Sequence, residues 1–311
     1  MMSFGATLNV LLMTLLFMVP GYIFCKCRKL DPEKLPALSV TLLYITAPCL
    51  FMDTLMNLEY SPELTGQMGV FALVSLGAMV AFMGLLALVF RRHKEKPFLR
   101  LLSVASVMGN VAFFGLPIVR ATLPPEAAAE AGAYSCIYCA TMNIIGWTAG
   151  AFRLTGDKRY ISLRAATVNP TVISVAAGFL MYLFRLGSRI PPVLGSCIST
   201  LGKMTTPLCM IILGCRLATM DLKELFGTPA SYLICLNKLL LFPLFGWAVS
   251  LLLPVTPVFR VSILILSATP CASVILNLAE IFRSERKLAA DCALLSALLS
   301  ILTIPLLTLL L

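Results

Sequence analysis

Long apolar runs alternate with short polar ones from end to end of the chain. A helix needs about 20 predominantly apolar residues to cross the hydrocarbon core of a bilayer. Windows that meet this need centre near residues 15, 48, 79, 110, 142, 178, 206, 241, 270 and 299. The pattern therefore predicts an all-α integral membrane protein with ten transmembrane helices. The stretches between windows are too short for a soluble domain, which puts the function inside the helix bundle. The opening "MMSFGATLNVLLMTLLFMVPGYIF" lacks the basic leader and small-residue cleavage site of a secretory signal and reads as a retained first span.

Charge orients the bundle. The chain is 59% hydrophobic and 12% charged, with a formal net charge of +10. In a soluble protein that excess would point to nucleic acid, but here its distribution follows the parity of the loops. The odd loops carry most of the Lys and Arg, as in the cluster Arg91, Arg92, Lys94, Lys96 and Arg100, whereas the even loops hold only Arg120, Arg185, Arg189 and Arg260. Positive loops stay on the cytoplasmic side. The expectation is a multi-pass protein of the cell membrane with both termini outside and no nucleic-acid partner. Lys203 and Lys238 remain, and both fall within predicted helices.

The second half of the chain can be laid on the first with an offset near 160 residues. "TAPCLF" around Pro48 aligns with "TTPLCM" around Pro207, and "FLRLLSVASVMGN" leading to Asn110 aligns with "VFRVSILILSATP" leading to Pro270. Five helices per repeat is an odd number, so the second copy enters the membrane from the opposite face. Residues 1–157 and 158–311 are thus expected as two inverted five-helix repeats, an architecture associated with secondary transporters.

Both matched positions carry helix-breaking signals near mid-membrane. Gly109 and Asn110 interrupt the fourth span, and Asn favours the position that caps a helix start. In the ninth span, Thr269 at the cap and Pro270 at the first helical position form another start signal. Two helices restarting at the same depth aim unpaired N–H groups and positive dipole ends at one place, which suits an anion. The expectation is that the broken helices 4 and 9 cross and that Gly109, Asn110, Thr269 and Pro270 form the substrate site. Each residue also has a plainer reading, an interhelical hydrogen bond for Asn110 and a kink for Pro270; their matched placement favours the site.

Ionisable groups inside a bundle are costly enough to be functional suspects. Lys203, just before "TTP", is the expected counter-charge for the anion. Lys238 is ranked below it, as a lysine that pairs with an acid or reaches to an interface. Asp53, Glu280 and Asp291 are candidates for carrying a coupling proton, although boundary acids are commonly solvated or paired. Asn143 and Asn277 are expected to make interhelical hydrogen bonds. The eleven cysteines are scattered and the single histidine lies in a basic loop. No metal cluster, phosphate loop, nucleophile motif or cofactor is expected.

"GNVAFFGLPIV", "ATPCASVILNLAE" and the closing "LLSALLSILTIPLLTLLL" resemble the auxin efflux carrier family over essentially the whole chain. The resemblance implies a fold related to the bile acid:sodium symporters. Helices 1, 2, 6 and 7 would form a scaffold that dimerises, and helices 3–5 and 8–10 a transport unit moving like an elevator. The family's crossover positions map onto Gly109, Asn110, Thr269 and Pro270. Plant relatives carry Pro-Asn where this chain has Gly-Asn, which argues against auxin itself, and bacterial members are associated with small carboxylates such as malate or malonate. The expected function is secondary active transport of a small organic anion, with a proton or sodium as the coupling ion. A sodium-coupled symporter of the bile-acid type is the nearest alternative, but no carboxylate neighbours Asn110 or Pro270 in sequence. An intramembrane enzyme or a sensor is the alternative from another class.

Overall fold

The computed structural model describes residues 4–93 and 96–311; Lys94, counted above among the inner cations, lies outside them. Helix dominates, and among the described residues there is no strand. We number the main helices α1 Thr7–Lys26, α2 Leu35–Met56 and α3 Pro62–Val89, then α4 Pro97–Ala105, α5 Val111–Thr122 and α6 at 125–155. The second half holds α7 Pro170–Leu183, α8 Pro192–Thr219, α9 Pro229–Leu251 and α10 Pro257–Ser267, followed by α11 Val274–Ile281 and α12 Arg286–Thr308.

Local chemistry explains several starts. Ser61 before Pro62, Asn169 before Pro170 and Thr256 before Pro257 each accept a backbone N–H of the following turn with the side chain, opening α3, α7 and α10. The cap satisfies one orphan donor, and proline at the next position has no N–H to leave unpaired.

Among the described residues, six helices are long and apolar enough to cross a membrane: α1, α2, α3, α8, α9 and α12. The segment Lys158–Thr167 and α7, bent by 40° against each other, make a seventh if they are taken as one span. The expected count of ten therefore depends on how α6 and the two interrupted pairs, α4 with α5 and α10 with α11, are read.

Packing divides the helices into two neighbourhoods. α8 packs along α1 and against α2, and α2 also packs on α7. α3 lies on α6, α6 on α10, α10 on α9, and α9 on α12. The α1–α8 contact is made close by reciprocal glycines. A Cβ at Gly21 would run into the Ile211 carbonyl oxygen, and one at Gly214 into that of Met18. Small residues allow this backbone approach, which maximises dispersion contact where hydrophobic driving force is absent.

Replacing Gly214 by Leu is expected to push α1 and α8 apart at a cost of roughly 1–3 kcal/mol, in the range of overpacking. Thermal unfolding of the detergent-solubilised protein should show a lower midpoint for Gly214→Leu and little change for Gly84→Leu, since nothing lies within 4 Å of a Cβ at Gly84.

Candidate functional site

α4 stops at Ala105 and α5 starts at Val111; α10 stops at Ser267 and α11 starts at Val274. The two uncoiled segments between them lie side by side and antiparallel, with Gly109 paired to Cys271. The Asn110 N–H donates to the Pro270 carbonyl at 2.7 Å, and the Ala272 N–H donates to the Met108 carbonyl at 3.1 Å. The Cys271 N–H donates to Ser296 Oγ of α12 at 2.8 Å. Backbone without helical bonds can survive at such depth only if its polar groups are paired. Here the two uncoiled segments pair with each other, and Ser296 of α12 takes the Cys271 donor.

Two expectations about the restarts need correction. Asn110 does precede α5, but its side chain makes no cap hydrogen bond. Its backbone carbonyl accepts from the N–H groups of Phe114 and Gly115, both at 3.1 Å, while its amide Nδ2 donates to Cys209 Sγ of α8 at 3.9 Å. Thr269 and Pro270 do not open a helix at all. Ser273 occupies the position before α11, and Thr269 Oγ1 donates backwards to the Leu266 carbonyl at 2.8 Å. The reason is competition: the Pro270 carbonyl pairs with Asn110, so this stretch is held extended for another turn before the helix resumes.

The crossover has two sides. Gly109, Asn110, Ala272 and Ser273 line a chamber of about 100 Å³, whereas Thr269 is fully buried behind it. The chamber lies at the seam between the two packing neighbourhoods. Ser39 and Phe51 of α2, Thr171 of α7 and Cys209 and Arg216 of α8 face Val111 and Phe113 of α5, Asn143 of α6 and Asn277 of α11. Through Ser39, Leu43, Leu213, Arg216 and Asn277 it continues into a wider cavity of about 700 Å³, which also reaches Glu280, Arg286 and Lys287.

The cationic groups are rearranged relative to expectation. Lys203 is exposed at the bend of α8 and lines neither cavity. The positive group on the chamber is Arg216, half-buried in the last turn of α8. The apolar window of the seventh span gives no sign that the helix continues as far as Arg216 and Thr219.

Lys238 neither reaches an interface nor, among the described residues, forms an ion pair. It is fully buried in a π-helical turn of α9, Asn237–Leu241. Its Nζ donates to the Ser267 carbonyl at 2.6 Å and lies 5.3 Å from the centre of the Phe242 ring. Ser267 ends α10, so the ammonium stands at the negative end of that helix dipole, where a cation is favoured. The same group crowds Gly109: a Cβ there would come 3.0 Å from the Lys238 Nζ and would meet Thr269 Oγ1.

The three expected coupling acids are dispersed. Asp53 is half-buried on α2 and accepts from Asn57 Nδ2 at 3.1 Å. Glu280 lines the wide cavity and is paired with Arg286 at 2.9 Å. Asp291 is buried in α12. Asn143, Asn277, Ser273 and Cys209, by contrast, belong to the chamber although none of them was expected in the substrate site.

A family model described as membrane transport protein matches the chain over residues 6–166 and again over 159–308. None of the curated proteins matches the chain.

Because Gly109 is the point where the crossover, Thr269 and Lys238 meet, Gly109→Ala is expected to cost about 1–3 kcal/mol through overpacking. Thermal unfolding should register the loss, with Gly69→Ala, whose Cβ meets nothing within 4 Å, as the comparison.

Proposed function

The chain belongs to the membrane transport protein family, that of the auxin efflux carriers, and from that premise we propose that it is a secondary active transporter of a small organic anion such as a carboxylate. The chamber at the seam carries this reading. It joins the guanidinium of Arg216, the amides of Asn110, Asn143 and Asn277, and the N-terminal ends of α5 and α11 around one small space. Guanidinium and helix N-termini together favour a carboxylate, and the guanidinium can bind it in bidentate fashion.

Counting α6, α7 with the segment bent against it, the α4–α5 pair and the α10–α11 pair as crossings beside the six long helices gives ten spans and two five-helix repeats. The contacts among α1, α2, α7 and α8 support a scaffold, and those among the remaining helices support a transport unit. A substrate held between the two suits elevator-like alternating access, in which one unit moves against the other. The reading includes the cell membrane as location, both termini outside, and a homodimer. An exposed Lys203 midway along an apolar helix favours a protein contact at that face over bare lipid.

The sodium-coupled alternative is weaker. Among the described residues no carboxylate lines the chamber, and the carbonyl end of α10, a natural cation ligand, is already held by Lys238.

The test is uptake of radiolabelled mono- and dicarboxylates into proteoliposomes under separately imposed proton and sodium gradients. Arg216→Ala removes a charge-assisted hydrogen bond and is expected to weaken the apparent affinity by about 10-fold or more. Lys203→Ala should leave it unchanged. Failure of every carboxylate to move under both gradients, or an Arg216→Ala affinity equal to wild type, would overturn the reading.

A further inference from the structure

The residues between α6 and α7 form a built corner. Asp157 and Ser162 each cap a short helical turn with the side chain. Asn169 does double duty, donating to the Ala165 and Ala166 carbonyls at 3.0 and 3.1 Å and accepting from the Val172 N–H at 3.0 Å. One side of the corner is fastened to the bundle. Ala166 is buried, the Ser162 N–H donates to the Trp147 carbonyl at 3.1 Å, and the Tyr160 ring meets Phe282 edge-on at 5.6 Å.

The other side faces outward and mixes two kinds of side chain. Leu163 is 70% exposed and Val168 61%, interleaved with exposed Lys158, Arg159 and Arg164. The only acid in the stretch, Asp157, is bound to Arg159 at 2.7 Å. A purely aqueous loop has no use for the leucine and valine, and a purely lipidic helix would not tolerate the cations. Phe152 and Ile173, exposed on α6 and α7 to either side, continue the apolar part into the flanking helices.

We propose that this corner is a binding surface for anionic phospholipid at the headgroup level of the inner leaflet, with Lys158, Arg159 and Arg164 on the phosphates and Leu163 and Val168 among the upper acyl chains. Apolar side chains that dip into the headgroup–acyl boundary beside basic ones are the pattern of an interfacial segment. Basic residues just cytoplasmic of a span draw anionic lipid to themselves. The surface also has a mechanical connection. Phe282, which Tyr160 touches, ends α11, and the other end of α11 lines the chamber through Val274 and Asn277. Lipid at the corner therefore bears on the chamber wall, a consequence that rests on the transport reading, whereas the lipid contact itself does not.

Native mass spectrometry of the full chain released from nanodiscs of mixed phosphatidylglycerol and phosphatidylcholine tests the contact. The wild-type protein should retain phosphatidylglycerol in preference to phosphatidylcholine. Lys158→Gln, Arg159→Gln and Arg164→Gln combined should reduce that preference about fivefold or more, given the usual contribution of each cation. Arg91→Gln with Arg92→Gln, another exposed basic pair at a span end, should reduce it much less. The proposal fails if the triple variant keeps the preference, if the control pair loses it equally, if inorganic phosphate displaces the lipid, or if the triple variant instead changes the oligomeric mass. Carboxylate uptake in liposomes with and without phosphatidylglycerol then reads the connection to α11. Stimulation that disappears in the triple variant supports it. Equal uptake in both lipids with the lipid preference intact overturns the connection alone, and absence of any uptake counts against the transport reading alone.

Discussion

Backbone polar groups far from water must find partners inside the protein, and the organisation of this molecule follows from how two interrupted helices meet that demand. The uncoiled segments between α4 and α5 and between α10 and α11 are joined by two backbone hydrogen bonds, from the Asn110 N–H to the Pro270 carbonyl and from the Ala272 N–H to the Met108 carbonyl. Such mutual pairing works only if both breaks lie at the same depth and run antiparallel, as they do where Gly109 pairs with Cys271. It also fixes what may surround them. Gly109 has to be small because the opposite strand and the Lys238 ammonium occupy the place of a side chain, and Ser296 has to be present to take the Cys271 N–H.

The crossover has a chamber side and a packed side. Asn110 and Gly109 look into the chamber, while Thr269 and Lys238 lie on the packed side. A buried lysine bonded to the last carbonyl of α10 stiffens the end of that helix and answers its dipole without exposing charge to the chamber. The chamber's own positive group comes from the opposite neighbourhood of helices, on α8. A ligand that bridges Arg216 and the crossover therefore touches both bodies that an alternating-access cycle would move.

Much of this arrangement was legible in the residues. The matched breaks at Asn110 and Pro270, one repeat apart, pointed to the place where the backbone crosses, because glycine, asparagine and proline leave strong local signals in apolar runs. What stayed hidden depends on which way a helix face turns. Lys203 and Arg216 lie thirteen positions apart on one helix, and only the packing of α8 against α1 and α2 turns Arg216 inward and Lys203 outward. The start of α11 at Val274 departs from its local signal for a related reason. Thr256–Pro257 and Thr269–Pro270 carry the same local code, yet only the first is free to obey it, since the second is already engaged across the crossover. Asn143 and Asn277 resemble ordinary interhelical polar residues, and no local signal distinguishes them.

The step from a cavity of about 700 Å³ to one of about 100 Å³ has a consequence for hydration. An anion arriving in the wide cavity can keep most of its water shell, but the inner chamber has room for only a few waters. On the proposed transport reading, passage inward would be a dehydration step, with Arg216 at the boundary between the two cavities. Discrimination between anions of similar shape then falls on how tightly each one holds its solvent. A strongly hydrated inorganic ion is penalised at the threshold, whereas a carboxylate carrying a short apolar tail has less water to give up.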